Sequence, residues 1–339
     1  MAQAVRDPGC YFEDGNIVLS AHSESQNRDI LFRLHRSVLA NHSVVFGDMF
    51  SMPPPATVPQ YDGTPLVTMA GDDADVLREL VRFLYDSDYF STVLNADDFP
   101  LKLLEPCKLA NKYQIDWIPR KAAERLTKSW PNTVGGWLGI SEEERTRLSR
   151  QIEMDVVGAD ASEPHWDDHA FQPRQLPEPV SSILLARECD AVGVLPLAFL
   201  DLLQRLPEPH PLNQYAEYAK KVEIQLLPAN DWPRLLHARE RMGSWFAEYS
   251  YPPSIVSHSK ATACAGEGTR CEAAIYRTWL GLANSLASSG NILQVSSSSL
   301  VRSSDRLGIC SDCKHKLERE IIAVQGAFLK SLDYFFATP

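Results

Sequence analysis

A chain of 339 residues, 44% hydrophobic and 23% charged, is long enough for two or three domains and can bury a core without disulfide or metal staples. Its formal net charge of -11 and pI near 5.3 set it against nucleic acid and anionic membrane surfaces, both of which attract basic patches. No run of about 18 apolar residues occurs, so no membrane span is expected, and Met1 to Asp7 has no apolar stretch of the secretory kind.

In chain order, the first folded stretch opens at about Tyr11 and is stopped by the turn dipeptide Asp14-Gly15. Ile17 to Ala21 reads as a strand. In a second strand, Ile30, Phe32 and Leu34 alternate with Leu31, Arg33 and His35, and the polar link Ser23 to Arg28 makes the pair a hairpin. From Ser37 to Phe50 the apolar positions recur at helical spacing. Ser43 interrupts them as an N-cap, which predicts two short helices, with Val38, Leu39, Phe46, Met49 and Phe50 as core. Four prolines (Pro53, Pro54, Pro55, Pro59) make the next segment an irregular loop. Leu66 to Met69 is a third strand. Asp72 or Asp73 caps a helix whose buried stripe is Val76, Leu77, Leu80, Val81, Phe83 and Leu84. Further helices run Phe99 to Tyr113 and Trp117 to Trp130.

Ser141 to Glu144 reads as a capping box ahead of a charged helix, and Asp155 to Pro179 as an acidic, Pro- and His-rich linker. Helices are predicted over Ser182 to Asp190, Leu195 to Leu206, Trp232 to Tyr249, Glu272 to Leu286 and Lys314 to Phe336. Ser285 to Ser304 is serine-rich. No internal repeat is visible. The organisation expected is therefore α+β, with a strand-and-helix domain over 10–130, a helix and linker over 131–180, and a mainly helical domain over 181–339.

The segment Phe32-Arg33-Leu34-His35-Arg36-Ser37-Val38-Leu39-Ala40, followed by Ser43, Phe46 and Met49-Phe50, resembles the F-x-x-H-K/R-x-x-L-A signature of BTB/POZ domains. Leu80 to Tyr85 and Leu109-Ala110-Asn111-Lys112-Tyr113-Gln114-Ile115 are similar to two of that family's helices, and Asp14 to the Asp at the start of its strand. The later segments Leu184 to Asp190 and Leu195 to Phe199 resemble BTB proteins of mushroom-forming fungi, as does the arrangement of Cys264, Cys271, Cys310 and Cys313. The resemblance implies a small sheet capped by helices, with Asp14, Phe32, His35, Arg36, Leu39, Phe46, Phe50, Tyr85 and Tyr113 defining the fold. It also implies a non-enzymatic protein that works by presenting surfaces to itself or to a partner, as an adaptor or regulator; with no targeting signal visible, cytoplasm or nucleus is the expected location. His35 then reads as a buried imidazole hydrogen-bonded to backbone near the helix start rather than as a catalytic base.

Two family devices depart from pattern. The strand that many members exchange between protomers would have to fit in the thirteen residues before Asp14, which include Pro8-Gly9. Members that serve cullin-type ubiquitin ligases carry a hydrophobic-x-Glu motif, where this chain has Met52-Pro53-Pro54 and no Glu before Asp62. Met52 and Tyr61 are the contact residues this region offers.

The seven cysteines, without a secretory signal, read as reduced thiols or metal ligands. Cys310-Ser311-Asp312-Cys313 has the spacing of a zinc knuckle, Gly308 would supply its turn, and Cys264 with Cys271 would complete a four-cysteine site. His258 and His315 are spare ligands. The alternatives are free thiols and a disulfide. Cys10, Cys107 and Cys189 read as isolated thiols without chemistry. No nucleotide-binding, nucleophile-elbow or zinc-protease motif occurs. The one dense group of ligand types, Glu163 to His169, lies in the Pro-rich acidic stretch, where nothing would hold it rigid.

Overall fold

A computed structural model of the chain describes residues 4–53, 59–137, 176–205, 222–248, 271–277, 279 and 309–337. The predicted capping box at Ser141, the Glu163 to His169 cluster, the serine-rich strip, Cys264 and His258 lie outside these residues. The fold is α+β. Residues group into two units, one made of Met1–Lys128 with Ser181–Val194, the other of Ser129–Val180 with Leu195–Pro339.

The first unit is built on a five-stranded sheet. Its strands are β1 (Val5–Tyr11), β2 (Ile17–Ser23), β3 (Arg28–Leu34), β4 (Gln60–Tyr61) and β5 (Thr64–Asp73), in the order β1-β3-β2-β5-β4. β2 and β3 form the predicted antiparallel hairpin, Ile17 opposite Leu34 through Ser23 opposite Arg28. β1 runs parallel to β3 and β5 parallel to β2. β2 is therefore central and buried on both faces. Leu31, which the alternating pattern leaves outside the core, is buried as well.

β1 is a correction to the expectation that the fold opens at Tyr11. Pro8-Gly9 hides the strand from any period-two pattern. The chain absorbs them with a register shift between Arg6 and Tyr11, while the Asp7 carboxylate accepts the N–H groups of Gly9 (3.0 Å) and Cys10 (2.8 Å). Asp7 is 1% exposed, and Arg78, on the helix that follows β5, pairs with it. Such a buried carboxylate is tolerated because its oxygens are satisfied.

The helices of this unit are α1 (Arg36–His42), α2 (Val44–Ser51), α3 (Ala74–Tyr85), α4 (Ser87–Asn95), α5 (Phe99–Lys112) and α6 (Trp117–Ser129). Of the two predicted caps, Asp73 accepts from the N–H groups of Asp75 and Val76, which starts α3. Asp72 instead turns inward, and the Lys112 ammonium and the Tyr113 hydroxyl donate to it. In α3, Leu77, Leu80, Val81 and Phe83 are buried, while Val76 and Leu84 are half-exposed. α4 is not among the predicted helices: its aromatic and β-branched residues lack a clear stripe, and the Asp86 cap, accepting from Asp88 and Tyr89, defines its start.

α7 (Pro179–Glu188) carries Ser181 to Glu188 into the first unit. The second unit contains α8 (Leu195–Arg205), α9 (Asp231–Glu248), a helical stretch over 271–277, α10 (Ser311–Lys330) and α11 (Leu332–Phe335). Its core is aromatic. Phe328 stacks on Phe246 (5.4 Å) and meets Trp245 (5.5 Å) and Phe335 (5.3 Å), while Phe199 stacks on Phe336 (5.6 Å). Ile275 and Trp279, predicted to share a buried face, are both buried. No described helix is long and apolar enough to cross a membrane.

Candidate functional site

The residues that carry the resemblance meet in two clusters of the first unit. At the junction of β3 and α1, the His35 backbone N–H donates to the Tyr85 hydroxyl oxygen at 2.9 Å, and His35 Nδ1 lies 3.1 Å from the same oxygen. His35 Nε2 is 3.2 Å from Asp14 Oδ1. In the neutral ring these partners set the tautomer: Nε2–H donates to the carboxylate, and Nδ1 accepts the Tyr85 O–H. The bond from His35 holds the exposed Asp14 carboxyl below its ordinary range. Phe12 stacks on Tyr85 at 4.7 Å and closes the cluster.

The prediction for this site needs two corrections. His35 bonds to Tyr85 and Asp14 rather than to a backbone group, because the tyrosine reaches in from the end of α3. Asp14 does not begin a strand but sits in the turn three residues ahead of β2. The tight approach there requires Gly15, where a Cβ would meet the backbone of Arg33 at 3.0 Å.

The second cluster joins α1 and α2 to the end of α5. Ser43 Oγ accepts from the Phe46 N–H at 3.0 Å, as an N-cap, and its hydroxyl donates to the Tyr113 carbonyl at 2.6 Å. Phe46 stacks on Tyr113 at 4.6 Å. Desolvation pushes the Tyr113 hydroxyl far above its ordinary value, and its bond to Asp72 adds to the shift. Phe32, Leu39 and Phe46 are buried as predicted. Val38, Met49 and Phe50 are not core: these helices of seven and eight residues bury one side each, and the three stand half-exposed. The Arg36 guanidinium lies over the Phe50 ring at 5.5 Å.

Around α2 the surface offers apolar side chains. Val44 at its start is 61% exposed and Met52 just past its end is 62% exposed. Tyr61 lies on β4, with the Arg6 guanidinium 5.8 Å from its ring. Arg6 pairs with Asp62, and the Tyr11 hydroxyl donates to the same carboxylate at 2.9 Å. Asp62 and Gly63 have φ of 49° and 71°, the two positive values of a type I′ hairpin turn. The Asp-Gly dipeptide is the sequence signal that could have placed this hairpin. Asp7 and Arg78 had no signal in sequence, since neither falls on a periodic position.

In the second unit, Cys271, Cys310 and Cys313 bring their sulfurs within 4.8 Å of one another. Cys310 is the N-cap of α10 and Cys313 lies in its first turn. The Cys310 N–H points at Cys271 Sγ, 3.5 Å away. Helix-start N–H groups and the dipole favour thiolates. His315 is turned to Glu318 at 3.3 Å and does not join the sulfurs.

Two further thiols assigned to isolation are not isolated. Cys107 is fully buried on α5, and the Cys189 side chain just past α7, followed by burial, pushes its thiol far above the ordinary value.

Compared with known proteins, residues 17–129 match the family model described as the BTB/POZ domain. No curated protein and no solved structure matches the chain.

Proposed function

With residues 17–129 forming a BTB/POZ domain, a protein–protein interaction module, we propose that the chain is a non-enzymatic adaptor or regulator that acts through the surface of this domain. The observation that carries the reading is the exposed apolar rim of α2, Val44 and Met52, beside the half-exposed Met49 and Phe50. Side chains of this kind gain from burial in a contact, at about 25 cal/mol per Å2 of apolar surface. The occupant we favour is a second copy of the chain. Service to a cullin-type ligase has less behind it, since Met52-Pro53 follows α2 and no Glu occurs before Asp62. The compartment that fits the reading is cytoplasm or nucleus, which imaging of the tagged chain checks.

Light scattering on the eluting full chain tests self-association. The expected mass is twice that of the 37.9 kDa monomer, falling to one copy in the Val44→Asp, Met52→Asp double variant. Both positions are exposed, so the substitutions leave the fold intact. A monomer at every concentration overturns this occupant. Binding to a purified cullin in the same assay replaces it with the ligase reading.

We further propose that Cys271, Cys310 and Cys313 hold a structural zinc ion, with Cys264 as fourth ligand. Zinc–sulfur bonds of about 2.3 Å place tetrahedral sulfurs about 3.8 Å apart, which a spacing within 4.8 Å meets with a small contraction. The ion would tie the stretch at 271–277 to the start of α10. Elemental analysis of the purified full chain is expected to give one zinc per molecule, lost in Cys310→Ser. Near-zero zinc in both overturns the assignment.

A further inference from the structure

The start of α10 holds two of the three clustered thiols one helical turn apart. Cys310 caps the helix, Cys313 lies in its first turn, and the Lys314 N–H donates to the Cys310 carbonyl at 3.0 Å, so the turn that joins them is closed. Ile309 before the pair and Leu317 after it are buried and hold that turn in place. Both thiols are half-exposed. Cys271 is 3% exposed and comes from a separate stretch of chain, with its sulfur 3.5 Å from the Cys310 backbone nitrogen. All three sulfurs lie within 4.8 Å of one another. An oxidant in solvent therefore meets Cys310 and Cys313 before Cys271, and it meets them as neighbours. The Cys-x-x-Cys spacing at a helix start is that of dithiols which cycle to disulfides, and side-chain rotation is the movement that brings such sulfurs to the ~2 Å of the covalent link.

We propose that this site is a redox-controlled clasp: hydrogen peroxide converts Cys310 and Cys313 to a disulfide, the zinc ion leaves, and the 271–277 stretch is released from the start of α10. The clasp rests on the zinc assignment above and adds its regulation. The Cys310 thiolate, at the cap where the first-turn N–H groups converge, attacks one peroxide oxygen. The O–O bond breaks, leaving a sulfenic acid on Cys310 and a hydroxide that takes a proton from solvent. The Cys313 thiolate then attacks the Cys310 sulfur, the S–O bond breaks, and the second hydroxide likewise becomes water. Two thiolates are oxidised, one peroxide is reduced to two waters, and two protons are consumed. A metal-binding sulfur is a thiolate, so the disulfide removes two ligands at once and the zinc is set free. Cys271, left alone, no longer ties its stretch to α10 through the metal.

The test treats the full chain, carrying its zinc, with rising amounts of hydrogen peroxide. Free zinc is read with a chromophoric chelator, and disulfides are mapped by mass spectrometry of alkylated, unreduced peptides. The expected result is one zinc released per Cys310–Cys313 link, with amides of 271–277 exchanging faster, and both changes reversed by dithiothreitol and added zinc. Chain stripped of zinc by a chelator should form the link at lower peroxide. Zinc retained up to the dose that oxidises the exposed Met52 overturns the clasp and leaves the zinc assignment standing. So does zinc released without a Cys310–Cys313 link, a link made through Cys271 instead, or a link that leaves exchange at 271–277 unchanged. A chain that holds no zinc before peroxide is added overturns the zinc assignment, and the clasp with it.

Discussion

In the first unit, polar side chains meet across long stretches of chain: Asp7 with Arg78, His35 with Tyr85, Ser43 with Tyr113, Asp72 with Lys112 and Tyr113. In the second, the described core is a set of aromatic rings on α8 to α11, and its best-placed polar anchor is Arg241, whose Nη1 donates to the carbonyls of Tyr334 (2.9 Å), Phe335 (3.3 Å) and Ala337 (2.9 Å). A sheet with parallel pairs needs its register pinned by specific bonds, because a slip of one residue turns every side chain to the wrong face. A helical cluster is specified mainly by volume and stripe, and tolerates exchange among apolar residues. The family-model match falls on the first of these, residues 17–129.

The contrast can be broken by measurement. The largest effect is expected from Phe328→Ala, which empties the centre of the aromatic cluster and costs about 4 kcal/mol in denaturant unfolding. Hydrogen exchange should show the loss confined to the second unit, and a loss spread evenly over both would end the division. Asp7→Ala removes the acceptor of the Gly9 and Cys10 N–H groups and one of the two carboxylates on Arg78, and costs about 2 kcal/mol, with β1 amides exchanging fastest. If β1 stays protected, the pair does not anchor it. Ser43→Ala removes a helix cap and the bridge to Tyr113, for about 1 kcal/mol in the same unfolding assay. The smallest effect is one of pH. The Ser25 hydroxyl, and then Arg78, hold the Asp75 carboxyl below its ordinary 3.8. Its contribution is therefore present at neutral pH and lost as pH falls through the folded value. Asp75→Asn should be less stable than the parent at neutral pH, with the gap narrowing as pH drops below about 4. A gap constant with pH would show that Asp75 contributes through packing alone.

Much of the first unit was legible because its signals are local. Ser43 as a cap, the α3 stripe and the β2–β3 hairpin all follow from neighbours within a few positions, whereas the partners of His35, Tyr85 and Asp14, do not. What escaped is non-local or masked by turn residues. β1 is interrupted by Pro8-Gly9, and the burial of Asp7 depends on Arg78, a partner seventy-one residues away. The spacing of Cys310 and Cys313 announced a ligand pair, and the fold brings Cys271 to it.

The Arg6–Asp62 pair and the Tyr11 bond to the same carboxylate tie the two outermost strands of the sheet together, and both strands are poor templates for extension. β4 is two residues long, and β1 is broken by a proline that lacks a donor and by a register shift. Open backbone ladders are what let sheets add foreign strands and grow into fibrils. Here both edges are blunted, which makes runaway sheet extension at either one unfavourable.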